Sequence, residues 1–115
     1  MYHTYTNPRL HVPKTKTYIA GKETLPTNHE QLFEMSVPVF NKNSKKWERW
    51  AREGSGNNAR YHRFGQHHEN EFHWNGSSSG GVDGRGNPRR LEVPIPRKEI
   101  DDLIDPPKTF GWWFW

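Results

Sequence analysis

The chain has 115 residues and no cysteine, with 17 Lys and Arg against 13 Asp and Glu for a net charge of +4. That length allows one domain at most, and the absence of cysteine excludes a disulfide framework, a thiolate metal site and a thiol nucleophile. Only 4 Ile, 5 Leu, 5 Val and 6 Phe are present, a share that warns of disorder. The modest net charge and an aromatic content of 14% argue instead for a small core built on Trp, Phe and Tyr.

Residues 1–24 carry Pro8 and Pro13 and no sustained period, so they read as an extended N-terminal arm or linker, with a short strand at 15–21. The opening "MYHTYTNPRL" lacks the apolar core of a signal peptide, and no apolar run reaches membrane-spanning length. The expectation is a chain without a membrane span or export signal of its own, brought to its place of action by something else. Residues 25–115 form the predicted domain. "TNHEQLFEMS" starts a helix, with Thr27 or Asn28 as cap and Glu30 or Gln31 to complete a capping box, ending before Pro38. In "VPVFNKNSKKWERWAREGSGNN", Trp47 and Trp50 share a face if helical, but their alternation with charge also permits a strand.

"RYHRF" and "EFHWN" are short aromatic stretches separated by "GQHHEN", which predicts a hairpin with a six-residue loop. "GSSSGGVDGRGNP" reads as a long Gly/Ser loop with no reason to pack, and "RRLEVPIP" as a last strand near an edge. "RKEIDDLID" gives a short C-terminal helix with Ile100, Leu103 and Ile104 on one face. The tail "FGWWFW" either closes the core or contacts another chain. Strands among short helices without a βαβ rhythm predict α+β, with a mostly antiparallel sheet.

Strand alternation sorts the hairpin. Phe72 and Trp74 share one face, with Phe64 and His62. The other displays Tyr61, Arg63, Glu71, His73 and Asn75, which joins a cation, a carboxylate and an imidazole. The adjacent Gly/Ser loop, with Ser77, offers N–H and hydroxyl groups to a phosphate. A His flanked by Phe and Trp is also often only a half-buried, hydrogen-bonded side chain. His67 and His68 lack metal-ligand spacing and read as a solvated loop.

These residues resemble the C-terminal toxin domains of bacterial polymorphic toxins, as carried by Rhs and contact-dependent inhibition proteins. The likeness spans residues 25–104 and is strongest at "RYHRF…EFHWNGS", similar to the "YRF…HWSG" core of a group thought to be RNases. Tyr61, Arg63, Phe64, His73, Trp74, Gly76 and Ser77 match that pattern, whereas the long Gly/Ser loop and aromatic tail depart from it. The resemblance implies a delivered effector acting in the target-cell cytoplasm, a cognate acidic immunity protein, and the RNase fold of barnase, the tRNA-cleaving colicins and RelE-type toxins. The resulting expectation is a metal-independent endoribonuclease, without cofactor, that cleaves tRNA or rRNA. His73, Glu71 and Arg63 would be catalytic, and Tyr61, Asn75, Ser77 and His62 would contact substrate. The alternatives are a non-catalytic nucleic-acid-binding module that stacks bases on Tyr61, Trp47 and Trp50, and a metal-dependent nuclease using His67, His68, Glu69 and His73.

Overall fold

From Val37 onward charge and bulk alternate, and in the computed structural model, which describes residues 4–5, 22–68 and 71–106, that alternation forms a sheet. Its strands lie in the order β1 (Thr4–Tyr5), β5 (Glu71–Ser77), β4 (Arg60–His68), β3 (Lys46–Glu53) and β2 (Val37–Asn41). β2 to β5 make an antiparallel meander, and β1 adds parallel to β5. Helices α1 (His29–Met35) and α2 (Arg97–Ile104) pack on opposite faces, and β6 (Gly81–Val82) pairs with β7 (Pro88–Arg89) in a second small sheet. The class is α+β.

The stretch around Trp47 and Trp50 is a strand, which places the two rings on opposite faces. Trp50 is sealed on the α2 side, while Trp47 stays partly exposed in an edge-to-face pair with Phe40, at 5.4 Å. The charges between them are accommodated. Arg49 donates to Ser36 Oγ at 2.7 Å and stands over the Phe33 ring, and Glu48 turns inward with Trp50. At the β2–β3 turn the Asn41 side chain accepts the N–H of Asn43 and Ser44, closing the bend before Lys45.

Under α1, Leu32 meets Ala51, Phe64, Phe72 and Trp74, with Tyr5, Leu25 and Phe33 around them. Each fully buried side chain of this size contributes about 1.5–3 kcal/mol of hydrophobic stabilisation. The capping box does not form. The Asn28 side chain instead donates to Glu53 at 3.0 Å, tying the start of α1 to β3. Under α2, Ile100 and Ile104 pack on Val37, Val39, Trp50, Ala59 and Tyr61, while Leu103 remains exposed. Arg52 bridges Asp101 at 3.0 Å and Asp105 at 2.6 Å, offsetting carboxylates that the C-terminal end of a helix disfavours.

Several sequence expectations need correction. β4 runs through His68 and β5 starts at Glu71, so the hairpin connection is far tighter than six residues, and His67 lies on a strand. The register shifts twice along this pair, between Arg63 and Phe64 and between Gln66 and His68, so the ladder carries β-bulges. The Gly/Ser loop does pack. Glu23 accepts from the Ser77 N–H and hydroxyl, and a Cβ at Gly81 would fall 2.0 Å from Glu23 Oε2. Asp83 accepts the N–H of Arg85 and Asn87. Burial raises its pKa, but these donors outweigh that and hold the carboxyl below its usual range. "RRLEVPIP" gives only the end of β7, because Pro94 and Pro96 lack the donors a ladder needs. Of the N-terminal arm, Tyr5 packs in the α1 core and Glu23 is buried, so both are integral contacts. The strand at 15–21, Glu69 and the aromatic tail lie outside the described residues.

Candidate functional site

The site grows from one irregularity. Arg63 pairs with Gly76 and Phe64 with Trp74, so Asn75 is an extra residue in β5. Its amide lies across Gly65, where a Cβ would fall 2.1 Å from it. With its oxygen toward the donors, the Asn75 side chain accepts from Arg63 Nη1 and from the Gly65 N–H, each at 3.3 Å.

Arg63 is thereby held from two sides. Its Nε and Nη2 both donate to Glu48 Oε2, the former at 3.0 Å. Glu48 also accepts from Trp50 Nε1 at 3.1 Å and from Asn41 Nδ2 at 3.3 Å. Of the five N–H donors of a guanidinium, these bonds leave two. Further along the same face, His73 Nε2 stands 3.5 Å from Glu71 Oε1, and the His67 ring stacks on His73 with centroids 4.5 Å apart. α2 rests on β2 and β3, while Arg63, Glu71, His73 and Asn75 on the β4–β5 part of that face are half-buried rather than sealed. The three expected catalytic side chains and Asn75 therefore share one accessible face.

The other three expected substrate contacts do not reach it. Tyr61 is on this face but 2% exposed beneath α2, where its hydroxyl donates to Asp101 at 2.8 Å and Arg97 covers its ring. Burial first, then this bond, raises the Tyr61 pKa. His62 and Ser77 are fully buried on the α1 face. There Trp74 donates to His62 Nδ1, Glu53 meets His62 Nε2 at 2.7 Å, and Arg60 Nε donates to Ser77 Oγ at 3.0 Å. Burial raises the Glu53 pKa, but the hydrogen bonds from His62 and Asn28 outweigh it and leave the carboxyl below its usual range. Two donors of the Gly/Ser loop are already committed, since Ser77 N–H goes to Glu23 and Ser78 N–H to the Tyr61 carbonyl. Trp50, expected as a stacking platform, is sealed as well.

Arg63 stands between two grooves. One, of about 350 Å³, also has Asn75, Lys22, Arg89, Arg90 and Glu92 on its walls. The other, of about 820 Å³, runs between β2 and α2 over Val39, Trp50, Ile95 and Leu103. Glu48, Lys22, Arg89 and Arg90 escaped the reading of the sequence. The dibasic "RR" of "NPRRLEV" was the available signal for two of them, whereas nothing local marks Glu48 as the partner of Arg63.

Among the described residues no three His, Asp or Glu side chains converge as a metal ion requires, and no helix is long and apolar enough to cross a membrane. The chain matches no protein-family model, and no curated protein and no solved structure matches it.

Proposed function

We propose that the protein is a metal-independent endoribonuclease, an antibacterial effector neutralised by a cognate acidic immunity protein. One observation carries the catalytic reading: Arg63, Asn75, His73 and Glu71 line one accessible sheet face beside a basic groove. The likeness of "RYHRF…EFHWNGS" to toxin RNases supports the biological setting, and with it the finer comparison to the barnase, colicin and RelE folds. A basic face also suits fast capture by an acidic inhibitor.

In this reading the RNA supplies its own nucleophile. The 2′-oxygen attacks the adjacent phosphorus, the bond from phosphorus to the 5′-oxygen breaks, and the products are a 2′,3′-cyclic phosphate and a 5′-hydroxyl. Glu71 accepts the 2′-OH proton, and His73 gives one to the departing 5′-oxygen. At 3.5 Å the two side chains are too close to hold a phosphate between them, so substrate must part them, which their partial exposure permits. Arg63 stabilises the crowded phosphate with its two remaining donors.

Incubation with total RNA in EDTA tests this. Cleavage that leaves cyclic phosphate ends supports the proposal, and cleavage lost on chelation supports a metal-dependent nuclease instead. The second reading is a binding module without chemistry. The exposed Phe40–Trp47 pair next to Lys46 favours it, because bases stack on aromatic faces with basic rims. Tight binding with no cleavage would establish that reading in place of the first.

A further inference from the structure

The groove of about 350 Å³ beside Asn75 collects cations that the fold does not use. Among the described residues Lys22, Arg89 and Arg90 make no ion pair, in contrast to Arg52, Arg60 and Arg63, each of which holds a carboxylate. Three unpaired cations around one concavity repel one another, and the fold gains nothing from that convergence. Two carboxylates also face the groove. Glu23 is occupied by Ser77 and Arg60, which leaves Glu92, among the described residues that line the groove, as the acid opposing the cations. At its inner end Arg63 and Asn75 connect the groove to the face that bears His73.

We propose that this groove is a phosphodiester subsite, in which Arg89, Arg90 and Lys22 hold the RNA backbone next to the phosphate at Arg63. It deepens the ribonuclease reading and rests on it for the identity of the strand. The dimensions favour a backbone over a protein: about 350 Å³ accommodates a phosphate with its sugar, not a helix or a strand with side chains. Arg suits the task because its planar fork meets two phosphate oxygens at once. Arg89 and Arg90 are exposed on and beside the short β7, so their replacement leaves both cores intact.

The test is a fluorescence-anisotropy titration in EDTA with a short, labelled 2′-O-methyl oligoribonucleotide, which cannot undergo transesterification. Arg89→Ala/Arg90→Ala is expected to weaken binding about tenfold. The slope of log affinity against log salt should fall by about 1 or more, because each phosphate no longer neutralised releases one counterion fewer. Lys42→Ala/Lys45→Ala, which removes the same charge from the β2–β3 turn, is expected to have a much smaller effect. Equal weakening by the two double variants would overturn the subsite, as would unchanged affinity in Arg89→Ala/Arg90→Ala. Binding of poly-glutamate as tight as that of the oligonucleotide, and abolished in the same variant, would overturn it in favour of an acidic protein partner. Because the probe is not cleaved, a protein that binds it through these arginines yet cuts no RNA retains the subsite and loses the ribonuclease reading. A protein that cuts RNA while binding is indifferent to both arginines loses the subsite alone.

Discussion

Trp74 donates its indole N–H to Nδ1 of His62 at 3.1 Å, and that bond fixes the tautomer of a fully buried imidazole. An indole can only donate, so Nδ1 must present a lone pair, and the single proton sits on Nε2, facing Glu53 at 2.7 Å. Protonation would set an N–H against an N–H. Burial is the largest influence on His62 and lowers its pKa from the ordinary 6.5, outweighing the opposite pull of Glu53. The unfolded chain therefore takes up a proton that the native state refuses, so stability rises with pH across this window. It is complete above about 6.5 and declines as pH falls below that value, until the native imidazole is protonated too. His62→Gln accepts from Trp74 and donates to Glu53 without titrating. Urea unfolding of both proteins at about pH 7.5 and about pH 5.5 should show a smaller loss on acidification in the variant. An equal loss would mean that His62 does not titrate as described.

Gly65 has no side chain because the Asn75 amide occupies that space. Gly65→Ala places a Cβ 2.1 Å from it, so Asn75 must leave and Arg63 loses one of its supports. The expected cost is about 1–3 kcal/mol, typical of overpacking in a buried site. Adding Asn75→Gly removes the collision, so the double variant should be less destabilised than the sum of the two single changes. Strict additivity in denaturant melts would contradict the contact.

Alternation alone places Arg63, Glu71, His73 and Asn75 on one face and His62, Phe64, Phe72 and Trp74 on the other, and the structure keeps that division. The period of a strand is local, so a short stretch of sequence carries it. What covers each face is not local. Tyr61 has the right parity for an open face, but a helix some forty residues later closes over it through Asp101. Ser77 was legible as polar and close to Gly residues, yet its partner Glu23 comes from 54 residues earlier in the chain. The bulge at Asn75 and the pairing of Arg63 with Glu48 depend on strand register, which the hydrophobic pattern here leaves unspecified.

Glu48 sets stability and anion affinity against each other. It is buried and accepts bonds from Arg63, Trp50 and Asn41. Glu48→Gln keeps the shape but removes the charge opposite Arg63. Breaking a fully buried pair costs about 3–5 kcal/mol; here about 2–3 is expected, because Arg63 keeps some exposure to water. The freed guanidinium should in turn bind the uncleavable oligonucleotide more tightly than the wild type does. Loss of both stability and affinity would show that Glu48 positions Arg63 rather than competing for it.

In the proposed reaction His73 moves a proton while RNA is cleaved by its own 2′-oxygen. The measurement that tests it most directly is the single-turnover cleavage rate in EDTA of wild-type and His73→Ala protein, on an RNA substrate and on the same substrate with one 2′-deoxy residue at the cleaved position. His73 is half-buried on a strand, and its replacement leaves both hydrophobic cores in place. A fall of about 10²–10⁴-fold is expected in His73→Ala on RNA, with no cleavage of the 2′-deoxy linkage by either protein. A folded His73→Ala protein that cuts RNA at the wild-type rate, or a wild-type protein that cuts the deoxy linkage as fast as RNA, would contradict it.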